Sequence, residues 1–400
     1  MSGRAAFSVI ALCPICIWAA DSVLAPPTSD AVSDHLAAGR SARMAFDRAR
    51  ALHHYSAAFA AAPDDTAVLT EYAALTPDRA LEVALLRRLL RLEPAQLAIE
   101  EARQRLKFLA RLGSRPVYRL ESEYLPQEIR MPMAYSRDSR PAGWVLSVRL
   151  NQGRPLRLML DTGSRGLLIS RAAARSLELE LLGETMLAGF GDNGIRRGER
   201  RLASQLEIGG LRWSNIVVES GEVDLPGGFD GLLGLDLFRH FLITLDGPGK
   251  VLRLEPFGGV NPAEAEGERP WSNQGSDGDG ALLSSGHLLI ANTRLRSGAQ
   301  ARFVLDSGAA YSILQRREPA IARRRVSLQG VSGLAAFDEI MQPVPIQIGN
   351  FRAGLREAVT TDLSPVSERF GMRIDGFLGF PLLRRLVTTI DLRSGRLQLQ

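Results

Sequence analysis

The chain has 400 residues, enough for two or three domains, and its 45% hydrophobic content excludes a chain disordered throughout. The formal charge of +5 rests almost wholly on arginine, since Lys107 and Lys250 are the sole lysines. The arginines are scattered without interleaved aromatics and the one dense run, Arg323-Arg324-Arg325, is short, so the basicity reads as solvated surface and no nucleic-acid partner is expected.

In chain order, Arg4, an apolar run from Ala5 to Ala20 and small residues through Ala25 read as an export signal over 1–25. The run falls short of the roughly 20 apolar residues that a membrane span needs. An exported protein, periplasmic or secreted, is the expectation, with membrane attachment only if this segment stays uncleaved as an anchor. Cys13 and Cys16 both lie inside it, so the mature chain is expected to hold no disulfide. Residues 31–113 are rich in alanine, leucine and arginine, with apolar positions at spacings of three and four. Breaks at Pro63 and Pro94 separate helical stretches (57–62 into 66–75, then 85–92 into 95–112), and the segment resembles tetratricopeptide-type helical hairpins. A protein partner docked there and a plain helical prodomain or spacer are both open readings. Residues 114–140, with Pro116, Pro126 and Pro132, read as a linker with short extended pieces.

From Trp144 the pattern changes to period-two alternation, as in Val145-Leu146-Ser147-Val148-Arg149-Leu150, so 141–257 is expected to be β structure. Gly/Pro-rich residues 258–280 form an expected interlobe linker, and 281–400 a second β unit.

The two β units are copies. Leu158-Met159-Leu160-Asp161-Thr162-Gly163-Ser164 recurs 145 residues later as Phe303-Val304-Leu305-Asp306-Ser307-Gly308-Ala309. Asp230-Gly231-Leu232-Leu233-Gly234 recurs at the same offset as Asp375-Gly376-Phe377-Leu378-Gly379, and Gly153/Gly298 and Asp246/Asp391 keep it too. A buried strand that ends in Asp-Thr/Ser-Gly presents a carboxylate at a tight turn, where glycine permits backbone shapes other residues avoid and the hydroxyl can bond across to a partner turn. Two such turns face to face place two carboxylates together, and like charges that close hold one proton between them, giving a general base and a general acid at once.

These residues resemble the retropepsin type of aspartic protease, most like bacterial aspartyl proteases, over about 144–400. The resemblance implies a mainly β fold of two tandem barrel units related by a pseudo-twofold axis and preceded by the α-helical region. It implies an aspartic endopeptidase acting on extended polypeptide without a cofactor, with Asp161 and Asp306 catalytic. It assigns Thr162 and Ser307 to locking the turns, Gly163 and Gly308 to the turns themselves, and Leu232 to Gly234 and Phe377 to Gly379 to packing behind them.

Gly189, Gly191 and Gly194 satisfy a Gly-x-Gly-x-x-Gly pattern, but no buried strand is expected before them and no helix after, so a glycine-rich flap is expected instead, matched by Gly330 and Gly333 in the second unit. Ser164 in one unit faces Ala309 in the other; a serine hydroxyl donating to Asp161 would make it the more readily ionised of the pair. Asp230 and Asp375 are expected to serve local hydrogen bonding. The five histidines show no zinc-site spacing, and Ser164 does not sit in a nucleophile elbow. The alternative from another class is a non-catalytic peptide-binding or scaffold protein on the same fold, and a further one pairs the units between chains.

Overall fold

A computed structural model describes residues 29–400 except 93–94, 124, 137–138, 188–195, 223–224, 226, 258–278, 317–321, 331–332 and 341. The expected export signal and most of the interlobe linker therefore lie outside the described residues. Among the described residues no helix is long and apolar enough to cross a membrane.

Five helices come first: Ser29–Met44, Arg48–Ala61, Thr66–Leu75, Arg79–Arg91 and Gln96–Leu112. Three start on an aspartate whose carboxylate accepts first-turn N–H groups: Asp47 from Arg50, Asp65 from Ala67 and Val68, and Asp78 from Ala80 and Leu81. The helices pack in sequence, each against the next.

The stretch 114–140 is more than a linker. Its extended pieces are strands (Arg119–Leu120, Gln127–Arg130, Met133–Tyr135), and each pairs with a strand of the body. Tyr118 is half-buried there, and its hydroxyl donates to the Val217 carbonyl at 3.0 Å.

The mainly β body contains the expected two copies. In the first, strand Leu156–Leu160 leads to Asp161, and Gly231–Leu233 lies parallel to it and antiparallel to Leu167–Ser170. In the second, strand Gln300–Asp306 carries the aspartate, and Gly376–Gly379 lies parallel to it and antiparallel to Ser312–Gln315. The central strand of each triplet is buried along its whole length, which is why both read as short uninterrupted apolar runs.

The copies join within the one chain. Strand Phe241–Asp246 pairs antiparallel with Val387–Asp391, and Thr244 sits opposite Thr389, its equivalent 145 residues on, with the hydroxyls 3.2 Å apart. The local twofold axis passes between them. Outward on each side lie Val251–Pro256 then Gln127–Arg130, and Arg396–Leu399 then Asp279–Ser285, so six strands span both units. One buried core continues through both, with the rings of Trp144 and Phe380 meeting edge to face at 5.0 Å.

The helices share a core with the first β unit. Phe108, Leu109 and Leu112 pack with Leu182 and Leu202, which lie on the hairpin formed by Glu180–Leu187 and Arg196–Ile208. The Phe108 ring lies under two guanidinium groups, Arg105 at 5.0 Å and Arg200 at 5.5 Å. Arg115 forks onto the Glu180 carboxylate at 2.6 and 3.0 Å. The first helix reaches the second unit, where the Ser284 hydroxyl donates to the Arg43 carbonyl at 3.0 Å.

Removing the helices would strip the cover from Leu182 and Leu202. Phe108→Ala is expected to destabilise the protein by about 3 kcal/mol, the usual cost of emptying a buried aromatic site, read from the urea midpoint. A chain starting at residue 114 is expected to melt lower and aggregate more readily than the full chain; equal stability in a melting experiment would reduce the helices to a spacer.

Candidate active site

Two turns meet at the pseudo-twofold axis through a reciprocal set of hydrogen bonds. The Thr162 hydroxyl donates to the Leu305 carbonyl (2.8 Å) and accepts from the Ser307 N–H (2.9 Å). The Ser307 hydroxyl donates to the Leu160 carbonyl (2.7 Å) and accepts from the Thr162 N–H (3.0 Å). Both hydroxyl residues are buried, so loss of either would leave amides and carbonyls with no solvent to replace it. The resemblance had implied this lock, and the geometry contains it.

The lock brings the Asp161 and Asp306 carboxyls into a hydrogen bond with each other, Asp161 buried and Asp306 half-buried. Each turn glycine lies against the opposite carboxyl: a Cβ on Gly163 would stand 2.9 Å from Asp306 Cγ, and one on Gly308 would stand 2.6 Å from Asp161 Cγ. This corrects the expected reason for these glycines. Neither adopts a positive φ, so they are required by space and not by backbone freedom.

Burial pushes the Asp161 carboxyl above the ordinary carboxylate range, opposed by N–H groups of Gly163, Gly308 and Ser164 and by the bond from Asp306. Burial, with Asp161 beside it, pushes Asp306 further up, opposed by the N–H groups of Gly308 and Ala309. The order is the one expected, with Asp161 ionising first, but the cause differs. Backbone N–H groups, Ser164 and Ala309 alike, favour ionisation of both carboxyls, and what sets the two apart is the pair itself: the bond between them favours ionised Asp161, and the Asp161 charge disfavours ionised Asp306.

Asp230 and Asp375 lie at the far ends of the central strands and tie neighbouring segments together. Asp230 accepts from the Arg157 N–H at 2.8 Å and the Arg154 guanidinium at 2.7 Å; Asp375 accepts from the Arg302 N–H at 3.0 Å and the Arg373 guanidinium at 2.6 Å. Against a burial that would raise it, these donors hold the Asp230 carboxyl below its usual range. Their bonding reaches the adjacent strand, further than the local loop expected.

Gly189, Gly191 and Gly194 lie outside the described residues. The strand before them, Glu180–Leu187, is half exposed and so is not the buried strand that a dinucleotide site requires, and it pairs with Arg196–Ile208 as a hairpin. A strand follows, not a helix, so the dinucleotide pattern still lacks its context. Gly330 and Gly333 pair at the end of a matching hairpin, Ala322–Gly330 with Gly333–Ile340.

Three contributors escaped the sequence reading. Asp236 accepts from the Gly166 N–H at 2.8 Å and steadies the Asp161 loop; its equivalent is Pro381, so the repeat gave no sign of it. Tyr118 places its hydroxyl where a Cβ on Gly166 would stand 3.5 Å away. From the second unit, the His287 ring comes near Gly163, while burial and the nearby Arg165 guanidinium lower its pKa. Among the described residues no group of three or more His, Cys, Asp or Glu side chains could hold a metal.

No curated protein matches the chain. A solved structure, the aspartic proteinase from Irpex lacteus, aligns over 68% of this chain and 96% of its own at 15% identity, with a TM-score of 0.41. Residues 146–237, which include Asp161 and the Asp230–Gly234 segment, match the family model described as Aspartyl protease. The first β unit is therefore similar to the aspartyl protease family over its catalytic-type turn and the strand beside it.

Proposed function

We propose that the protein is an aspartic endopeptidase whose one active site is shared by two β units of a single chain. The observation that carries this reading is the hydrogen-bonded, largely buried Asp161–Asp306 pair, since two carboxyls so placed retain a proton. Asp161, the more readily ionised, takes a proton from water lying between the carboxyls as the oxygen attacks the scissile carbonyl. Protonated Asp306 gives its proton to the carbonyl oxygen. In the breakdown of the tetrahedral species, Asp161 passes its proton to the leaving amine nitrogen and Asp306 recovers one from the diol. No cofactor enters this scheme. The hairpins Glu180–Leu187 with Arg196–Ile208 and Ala322–Gly330 with Gly333–Ile340 support a flap role, each covering an extended polypeptide. The N-terminal apolar segment supports an exported location.

Cleavage of an unstructured peptide library between pH 3 and 7, wild type beside Asp306→Asn, tests the reading. The substitution is expected to reduce kcat/KM on the order of 10³-fold or more. No cleavage by wild type would favour a peptide-binding role for the same cleft.

Activity requires one proton on the pair. It falls as pH drops and Asp161 becomes protonated, and falls again as pH rises and Asp306 loses its proton. Both carboxyls are raised, so the optimum is expected in the mildly acid range; a measured optimum below about 3 contradicts the pairing.

The same shifts bear on stability. A carboxyl whose folded pKa exceeds its unfolded value favours the fold below the unfolded pKa, and that contribution is lost as pH rises through the folded pKa. Asp306→Asn removes the loss, so its melting temperature is expected to exceed that of wild type by a few degrees at pH 7 and by less at pH 4. Ser307→Ala is expected to lower it at both, because the Thr162 N–H and the Leu160 carbonyl lose their partner.

A further inference from the structure

Strand Glu180–Leu187 of the first unit's hairpin is anchored at both ends, to the site at one and to the helices at the other. At its last residue, Leu187 is buried with Met159, Leu168 and Leu232, one from each of the three strands that carry and flank Asp161. The fit is close: a Cβ on Gly198, opposite in the hairpin, would stand 2.7 Å from Leu187 Cγ. At its first residue, the Glu180 carboxylate takes the Arg115 guanidinium in a fork at 2.6 and 3.0 Å. The same guanidinium donates to the carbonyls of Leu112 at 2.9 Å and Arg111 at 2.6 Å, which close the helix Gln96–Leu112. Arg79 of the preceding helix donates in turn to the Arg115 carbonyl at 3.1 Å. The pair lies at the surface, but its cation is fixed by the helix end and is not free to wander. Its bond holds the Glu180 carboxyl below the usual carboxylate range, so the pair stays charged in the mildly acid range in which the dyad is expected to act.

We propose that Arg115 is a positioning residue for substrate: acting through Glu180, it sets where the hairpin stands at the cleft, so that the helical region tunes affinity for an extended polypeptide and not the rate of bond cleavage. Glu180–Leu187 is the outermost strand of its sheet among the described residues, so its placement depends on side-chain anchors. The apolar contact of Leu182 and Leu202 with Phe108 holds the hairpin to the helices without fixing a direction, because apolar burial is non-directional. A planar fork onto a carboxylate supplies the direction. The proposal deepens the endopeptidase reading and rests on it for the flap role of the hairpin, but its effect on binding can be measured without turnover.

The experiment compares wild type, Arg115→Gln, Glu180→Gln and the double variant, each as the full chain. Initial rates on fluorescein-labelled casein in the mildly acid range give kcat and KM, and anisotropy of the same casein with each chain also carrying Asp306→Asn gives Kd. Each single substitution is expected to raise KM and Kd about fivefold and to leave kcat within about twofold. The double variant is expected to match either single one, because all three remove the same pair. Melting temperatures are expected to stay within about 3 °C of wild type, since a surface ion pair contributes little to global stability. A fall in kcat at constant KM, additive effects in the double variant, an unchanged Kd, or no binding of casein overturns the proposal. Failure of wild type to cut casein with the Kd pattern preserved would instead remove the catalytic reading and leave the positioning role standing.

Discussion

Everything at the centre of this protein depends on four hydrogen bonds made by two hydroxyl groups. Thr162 and Ser307 each donate to a carbonyl just before the opposite aspartate and accept an N–H from the opposite turn. They are buried at the point where two carboxyls face each other, an arrangement that electrostatics alone would push apart. Buried hydrogen bonds are costly to leave unmade, so a fully reciprocal set resists separation of the turns more firmly than apolar contact would. The lock holds together two acids that repulsion would otherwise separate.

The lock needs a frame that returns the two turns to the same place. The pairing of Phe241–Asp246 with Val387–Asp391 supplies it, with Thr244 and Thr389 on the same axis as the dyad. A sheet that runs through both units makes their separation cost several strand pairings and part of a continuous core. Duplication explains the symmetry: one sequence solution to presenting an aspartate at the end of a buried strand was used twice, and the two copies pair as halves of one site.

Much of this was legible because duplication made it redundant. The 145-residue offset marked Asp161, Asp306, both hydroxyls, both turn glycines and both central strands, and all lie where that offset requires. What was not legible belongs to one unit alone or depends on distance in space. Asp236 faces a proline in the other copy, and Tyr118 and His287 arrive from segments far along the chain. The donors to both aspartates are backbone N–H groups, which every residue but proline supplies and no side-chain pattern can reveal. The glycines were located correctly for an incomplete reason, because the opposing carboxyl that fills their space is invisible to local sequence. The stretch 114–140 looked like a linker since strands of two to four residues carry too few alternations to register.

The helices show how a symmetric body acquires an asymmetric setting. They cover Leu182 and Leu202 on the hairpin of the first unit, and Phe108 between Arg105 and Arg200 fastens that cover with an apolar body under two cations. Arg115 then ties the chain leaving the helices to Glu180 on the same hairpin, and the segment continues through Tyr118 against the loop that follows Asp161. The first unit is thus held from behind at its hairpin and at its aspartate loop by one continuous piece of chain. A removable segment would be expected to leave a polar, self-sufficient surface behind it, and this one would leave exposed leucines. The helical region is, on its packing, part of the fold that positions the first half of the site.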